Sequence, residues 1–249
     1  MKSFFLYFFG VLIILILNIS KYFVRIKFCH IYSSRIGHLT INFDSAILSI
    51  SENTFLFCSH DKKISNKFIL NIFKKQKKVF FKKFFKHFYN AILKVKPNSN
   101  YIISWREYGP LFSYKLRLKS KIKLPYYSSI ELEKILSRYE VKKNFVSLHA
   151  RNNLYMQKYR LDDKNFHDFR NFDFNDYSLV IEYLKKKNNS VIKLGETFPE
   201  ENFKMPEGSF FSSKDFSSNE EIDYLLNTYS RYNIIGNSGI VGISYILRK

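Results

Sequence analysis

Between Phe145 and Gly195 the chain passes from a short apolar run into a long polar loop, an amphipathic segment and a second short apolar run. That order predicts a βαβ unit, and such a unit commits the chain to a parallel sheet flanked by helices. The first run, Phe145-Val146-Ser147-Leu148, reads as a buried strand that delivers His149 and Arg151 at its carboxyl end. Tyr177, Val180, Ile181 and Leu184 then share one helical face. Ser190-Val191-Ile192-Lys193-Leu194 is the expected second strand, ending at Gly195. Open parallel sheets bind ligands beyond the carboxyl ends of their strands. His149, Arg151 and the loop cluster His167-Asp168-Phe169-Arg170-Asn171 therefore fall where this class of fold keeps its site. A surface ion pair is the plain alternative for any single Arg after a strand. Two polar clusters in one connection favour function, as does a loop far longer than the usual ~2–6 residues.

The flanking segments extend the pattern. An apolar strand is expected over Ile26–Ile31, leading into the turn Arg35-Ile36-Gly37-His38-Leu39, and Ile102-Ile103-Ser104-Trp105 reads as another strand. Pro125-Tyr126-Tyr127-Ser128 is the expected linker, followed by a helix from Ser129 to Tyr139 with Ser128 or Ser129 as its N-cap. Near the end, Ile222–Tyr229 reads as a helix and Tyr232–Ile235 as a strand. Gly236-Asn237-Ser238-Gly239 reads as a tight turn into a last helix, where unpaired amides and the Ser238 hydroxyl suit a phosphate. The chain thus divides into an N-terminal apolar segment (1–25), a first domain (26–124), a linker with a helix (125–144) and a second domain (145–249).

Composition narrows the function without naming it. A hydrophobic share of 46% over 249 residues allows real cores. The two cysteines, Cys29 and Cys58, form neither a disulfide framework nor a metal-ligand spacing, and read as buried thiols in a reducing compartment. No zinc spacing and no P-loop occur, so neither a metal nor another cofactor is expected. The net charge of +20 calls for an anionic partner: a nucleotide diphosphate, a lipid headgroup or a nucleic acid.

Location of the charge discriminates among these. Phe4–Leu17 is an apolar run interrupted only by Gly10 and followed by Lys21, Arg25 and Lys27. It falls short of the ~20 residues of a usual span. A retained anchor, short-spanning or interfacial, is the preferred reading; a cleaved signal or a helix packed on the protein are the others. From Lys62 to Lys96 there are twelve lysines and no acidic residue. Phe80, Phe81, Phe84, Phe85, Phe88 and Ile92 are expected on one helical face there, with Lys82, Lys83 and Lys86 opposite. An interfacial helix and a core helix with a basic solvated face explain this equally well.

The motifs Leu148-His149-Ala150-Arg151 with Tyr155, His167-Asp168-Phe169-Arg170-Asn171 with Tyr177, and Val191-Ile192-Lys193-Leu194-Gly195 resemble those of a bacterial glycosyltransferase family of surface-polysaccharide biosynthesis. Ser34-Arg35-Ile36-Gly37-His38-Leu39 resembles the family's N-terminal signature, and Ile234-Ile235-Gly236-Asn237-Ser238-Gly239-Ile240 its glycine-serine loop. The resemblance implies an α/β chain with two Rossmann-like domains of the GT-B kind and transfer of a sugar from a nucleotide-activated donor. It places the Arg35–Leu39 turn on the cleft, with Gly37 allowing close backbone approach or a positive φ and Arg35 and His38 facing donor or acceptor. Two departures accompany it. Asn152 stands where the family has Asp, and the chain reaches Lys249 soon after the glycine turn, which implies an incomplete second domain and reduced or lost turnover.

The expected activity is transfer of a sugar to a surface-polysaccharide or lipid-linked acceptor at the cytoplasmic side of a bacterial inner membrane. Arg151 would pair with the donor diphosphate, with Arg170, Asn171, Ser238 and Gly239 supporting it. His149, His167 and Asp168 are the candidates for deprotonating the acceptor hydroxyl. Two rivals stand beside this: an inactive remnant that binds a membrane or partner, and a basic nucleic-acid-binding protein. No specific nucleic-acid motif supports the second.

Overall fold

The computed structural model describes residues 2–104, 122–125, 129–151, 171–195, 207, 209–211, 220–236 and 238–248. Two compact units emerge: Met1–Leu124 with Arg248, and Pro125–Leu247 with Lys249. Each holds a four-stranded sheet, and all its pairings are parallel.

In the first unit the elements run α1 (Lys2–Ser20), β1 (Arg25–Ile31), α2 (Ile36–Leu48), β2 (Thr54–His60), α3 (Lys67–Lys74), β3 (Val79–Phe81), α4 (Phe85–Val95) and β4 (Ile102–Ile103). The sheet order is β3-β2-β1-β4. Strand β1 is central because Phe28, Cys29 and Ile31 are buried and it pairs on both sides. The sheet is covered on both faces, as a parallel sheet requires. Phe43 of α2 and Phe73 of α3 stack at 4.0 Å on one side. Phe28, Phe85, Tyr89 and Ile92 form a cluster with Ile13 and Leu17 of α1 on the other. Asn66 caps α3 by accepting from the Ile69 amide at 2.8 Å. Arg248 counts with this unit, its guanidinium gripping the Asp44 carboxylate at 2.8 and 3.1 Å.

The phenylalanine- and lysine-rich segment is not one long helix. Val79–Phe81 forms edge strand β3, and the helix begins only at Phe85. Phe85, Tyr89, Ala91 and Ile92 turn inward onto the sheet and α1, with Phe88 packed beside them, while Phe80 and Phe84 are 44% and 52% exposed, so the expected face is core only in part. Its lysines are the solvated side. Helix α1 itself is laid against α4. Gly10 makes that possible, because a Cβ there would stand 2.3 Å from the Ala91 carbonyl oxygen. Among the described residues, no helix is long and apolar enough to cross a membrane.

The second unit contains α5 (Ser129–Ser137), β5 (Phe145–His149), a 3-10 turn at Phe174–Tyr177, α6 (Ser178–Lys186), β6 (Ser190–Lys193), β7 (Ser209–Phe211), α7 (Glu220–Tyr229), β8 (Tyr232–Ile235) and α8 (Val241–Leu247). Its order, β7-β6-β5-β8, repeats the arrangement of the first sheet. The expected strands over Phe145–Leu148, Ser190–Leu194 and Tyr232–Ile235 are present to within a residue. The helical face expected from Tyr177, Val180, Ile181 and Leu184 holds in part. Ile181 is fully buried and Tyr177 and Leu184 pack on the same cluster, while Val180 is 38% exposed. Helix α5 starts at Ser129 and stops at Ser137, two residues before the expected Tyr139. Ser128 lies outside the described residues.

A buried polar network ties this unit together. The Asn233 side chain donates to Asn227 Oδ1 at 2.9 Å and to Ser244 Oγ at 3.2 Å, and Ser147 and Ser230 donate to its oxygen. Four elements, β5, α7, β8 and α8, are thereby fixed through one side chain.

The Gly10 contact gives a direct test. Gly10→Ala forces α1 away from Ala91, and the urea midpoint is expected to fall by the equivalent of about 1–3 kcal/mol, the usual cost of overpacking. An unchanged midpoint would show that α1 is not held at this distance.

Candidate active site

Both sheets have a switch point, the place where successive connections leave the first strand in opposite directions. In each order the first strand of the unit lies between its second and fourth, so the crevices open between β1 and β4 and between β5 and β8. Ligands of open α/β sheets occupy such crevices at the carboxyl ends. The sequence-derived residues sort onto these two edges.

On the second sheet His149 ends β5 and pairs in register with Ile235 of β8. Its backbone carbonyl accepts from the Gly236 amide at 3.1 Å. Its Nδ1 lies 3.1 Å from the Ser238 hydroxyl. The other edge of the imidazole lies against Gly195, where a Cβ would come 3.2 Å from Cδ2 and 3.3 Å from Nε2. Gly195 also has φ +90°, so both its backbone and its neighbour call for glycine. Burial of the imidazole, and secondarily the charge of Lys193, push its pKa down to about 4, with its backbone hydrogen bond opposing them. His149 retains some surface contact, yet it is neutral at physiological pH. A group that surrenders its proton this readily is a poor general base near neutrality. The geometry makes it a partner of Ser238.

Two amides of the glycine-serine turn are bonded within the protein. The Gly236 amide bonds the His149 carbonyl, and the Ser238 amide bonds the Gly236 carbonyl at 2.7 Å. These donors are committed within the protein. Gly239 is exposed ahead of a short helix that begins only at Val241, and Asn237 lies outside the described residues. The Ser238 hydroxyl, itself buried, is held by His149.

Arg151 follows β5 by two residues and is partly buried, its carbonyl accepting from the Phe172 amide at 2.9 Å. Asn171, also partly buried, precedes that amide. This hydrogen bond brings together the two ends of residues 152–170, which lie outside the described residues. His167, Asp168 and Arg170 lie outside the described residues. One residue of this edge was not singled out from sequence. Lys193, at the end of β6, is only 3% exposed and places its ammonium 5.4 Å from the centre of the Phe174 ring. The signal was there: a lysine inside the run Ser190-Val191-Ile192-Lys193, where all four strand positions are buried, since lysine is rarely fully buried without a partner.

On the first sheet, β1 leads through Ser33 and Ser34 to Arg35, the extended N-cap residue of α2. Gly37 is buried in the first turn of that helix, and His38 is exposed beside it. Gly37 therefore does not serve a positive φ, the second of the two roles considered for it; among the described glycines only Gly195 has one. The same edge carries a cluster that sequence reading passed over. His30, buried in β1, holds Ser59 Oγ at 2.9 Å through Nδ1 and Asp61 Oδ1 at 3.1 Å through Nε2, with Tyr32 edge-on at 5.1 Å. Burial and then Lys86 lower its pKa against the pull of Asp61. Among the described residues no group of three His, Cys, Asp or Glu side chains is arranged to hold a metal.

No family model matches the chain, and no curated protein matches it in sequence. Its structure is similar to that of E. coli ADP-heptose LPS heptosyltransferase II, with a TM-score of 0.52 at 9% identity over 89% of this chain and 82% of that one. It also matches the iron-containing dodecameric glycosyltransferase TibC from enterotoxigenic E. coli at a TM-score of 0.48 and 12% identity, covering 90% of this chain and 56% of that one. At such identities the heptosyltransferase likeness establishes the fold: an α/β architecture of parallel sheets shared with a glycosyltransferase.

The depressed pKa of His149 sets the sign of a pH effect. Folded His149 titrates near 4 and the unfolded residue near 6.5, so acidification protonates the unfolded chain first. Stability is expected to fall as pH drops from 6.5 towards 4 and to level off below, by at most about 3 kcal/mol from this residue. Urea unfolding of wild type and His149→Asn at about pH 7.5 and pH 4.5 measures it. The variant should lose the His149 share of that drop; an identical drop in both would show that the imidazole is not held neutral.

Proposed function

We propose that the chain is a glycosyltransferase that binds a nucleotide-activated sugar at the carboxyl edge of its second sheet. The observation that carries this reading is the His149-held Ser238 hydroxyl at the β5–β8 switch point, with Arg151 just beyond β5 and the buried Lys193 at the end of neighbouring β6. Two cations and a hydroxyl suit a diphosphate, whose charge rises as the glycosidic bond breaks. The guanidinium offers a fork to two oxygens; the ammonium offers a point charge with little water to compete. The fold shared with a transferase named for ADP-heptose and LPS supports a nucleotide diphosphate sugar as donor and a glycan or lipid-linked acceptor in surface-polysaccharide or lipopolysaccharide assembly.

Deprotonation of the acceptor falls to His167 or Asp168. Arg170 and Asn171 are further phosphate contacts. A cytoplasmic-face location follows from a soluble nucleotide donor and a membrane-borne acceptor.

Thermal-shift titration with UDP-, GDP- and ADP-sugars tests donor binding, since a ligand that binds only the native state raises its apparent stability. Arg151→Ala is expected to abolish the shift and Arg151→Lys to restore only part of it, because an ammonium cannot form the bidentate contact. Lys193→Met should weaken binding at least ~10-fold while preserving volume and fold. A wild-type response from a folded Arg151→Ala would sink the phosphate role. Donor hydrolysis and transfer to membrane lipid extracts separate an enzyme from an inactive remnant, and robust turnover would set aside the incomplete-domain expectation.

A further inference from the structure

Helix α1 is apolar on every side, yet the protein covers only half of it. Gly10, Ile13 and Leu17 face α4 and the sheet, with Ile13 and Leu17 at 6% and 4% exposure. Phe4, Phe8, Leu12, Leu15 and Ile19 lie on the opposite side and are 46–78% exposed. Their spacing traces one continuous stripe along the helix. Tyr22 and Phe23, both more exposed still, prolong it beyond Ser20. A strip of large apolar side chains on this scale marks an interaction surface.

The inner face says what kind. A membrane span is surrounded by lipid or by other spans, whereas α1 is docked on a helix of the sheet's own cover layer. Gly10 sits against the Ala91 backbone, Phe9 meets Phe88 edge-on at 5.5 Å, and Tyr101 donates to Asn18 at 2.6 Å. With one side fixed in this way, the helix can offer only its outer side.

Charge identifies the occupant. The first acidic residue of the chain is Asp44, and none occurs between Lys62 and Ser104. Exposed Lys21 and Arg25 follow α1. Exposed Lys94 stands on α4 one position before Val95, a residue that meets α1. An apolar stripe bordered by cations matches the headgroup boundary of an anionic bilayer. A second copy of this chain would bring the same positive border against it. We propose that α1 is an in-plane membrane anchor, backed by α4 along one side and sunk by Phe4, Phe8, Leu12, Leu15 and Ile19 into an anionic lipid surface. This is independent of the donor chemistry.

Flotation of the full chain with vesicles of phosphatidylcholine alone, or mixed with phosphatidylglycerol, tests the anchor. Wild type should float with the mixed vesicles and bind neutral ones roughly tenfold or more weakly. A variant carrying Phe4→Ser, Phe8→Ser, Leu12→Ser and Ile19→Ser should stay unbound with unchanged circular dichroism. Lys21→Glu with Arg25→Glu should remove the preference for anionic lipid. Equal binding to both vesicle types, or wild-type binding by the serine variant, overturns the proposal. So does a wild type that ignores vesicles and becomes monomeric from dimeric in the serine variant, which would make a second copy the occupant. Nitroxides at Phe8→Cys and Ile19→Cys fix the orientation, the native Cys29 and Cys58 being buried. Equal shallow depths are expected; depths differing by roughly 16 Å, the rise of eleven helical residues, would mean a span and overturn it.

Discussion

The position of β5 between β6 and β8 is the constraint on which the chemistry of the second unit depends. Parallel neighbours on both sides leave its carboxyl end as the one place where connections diverge, and the gap beyond it begins where the Gly236 amide closes on the His149 carbonyl. The gap keeps its shape because the Asn233 network locks β5 to β8 from below and α7 and α8 from behind. Ser238 is therefore placed by buried hydrogen bonds several residues away, and His149 sets only its final orientation. Replacing any one amide of the network would leave others unsatisfied in a dry interior.

How this architecture shows in sequence depends on burial. Strands buried on both faces read as contiguous apolar runs, so β5 and β6 are visible in the bare chain, while the half-buried edge strand β8 shows through its Ile234-Ile235 pair before the glycine turn, and their carboxyl ends point to His149, Arg151 and Ser238. The paired runs Phe80-Phe81 and Phe84-Phe85 misdirect for a physical reason. Doublets at a spacing of four fit a helical face as well as they fit a three-residue edge strand followed by a new helix. Only pairing of β3 with β2, a long-range contact, decides between them. Likewise the Gly236–Gly239 turn advertises donors, but whether an amide is committed depends on which carbonyl the fold brings to it. His30, Ser59 and Asp61 were illegible because they are brought together by strand register: His30 pairs with Ser59 across β1 and β2.

The two units solve the same topological problem with different covering layers. In the first, aromatic rings supply much of the contact, and the Phe28, Phe57, Phe85 and Phe88 rings stand within about one ring-width of one another. In the second, aliphatic packing around Leu148, Ile181 and Val191 is joined to the Ser/Asn network. An all-apolar core tolerates small repacking, whereas a polar one specifies a single arrangement. The rigid arrangement belongs to the sheet edge that carries Arg151, Lys193 and Ser238, where geometric precision matters to a ligand.

Cys29 and Cys58 are register partners on adjacent central strands of the first sheet, and neither thiol reaches solvent. Burial pushes the Cys29 pKa up to about 12 and raises that of Cys58 as well. In the closed sheet almost no thiolate exists at neutral pH and no reagent can approach it. Alkylation can then proceed only through molecules in which β1 and β2 have parted. The rate of thiol modification becomes a clock for the opening of the sheet's centre, built into the protein without any label, and the free energy of that opening can be followed as ligands or lipids are added.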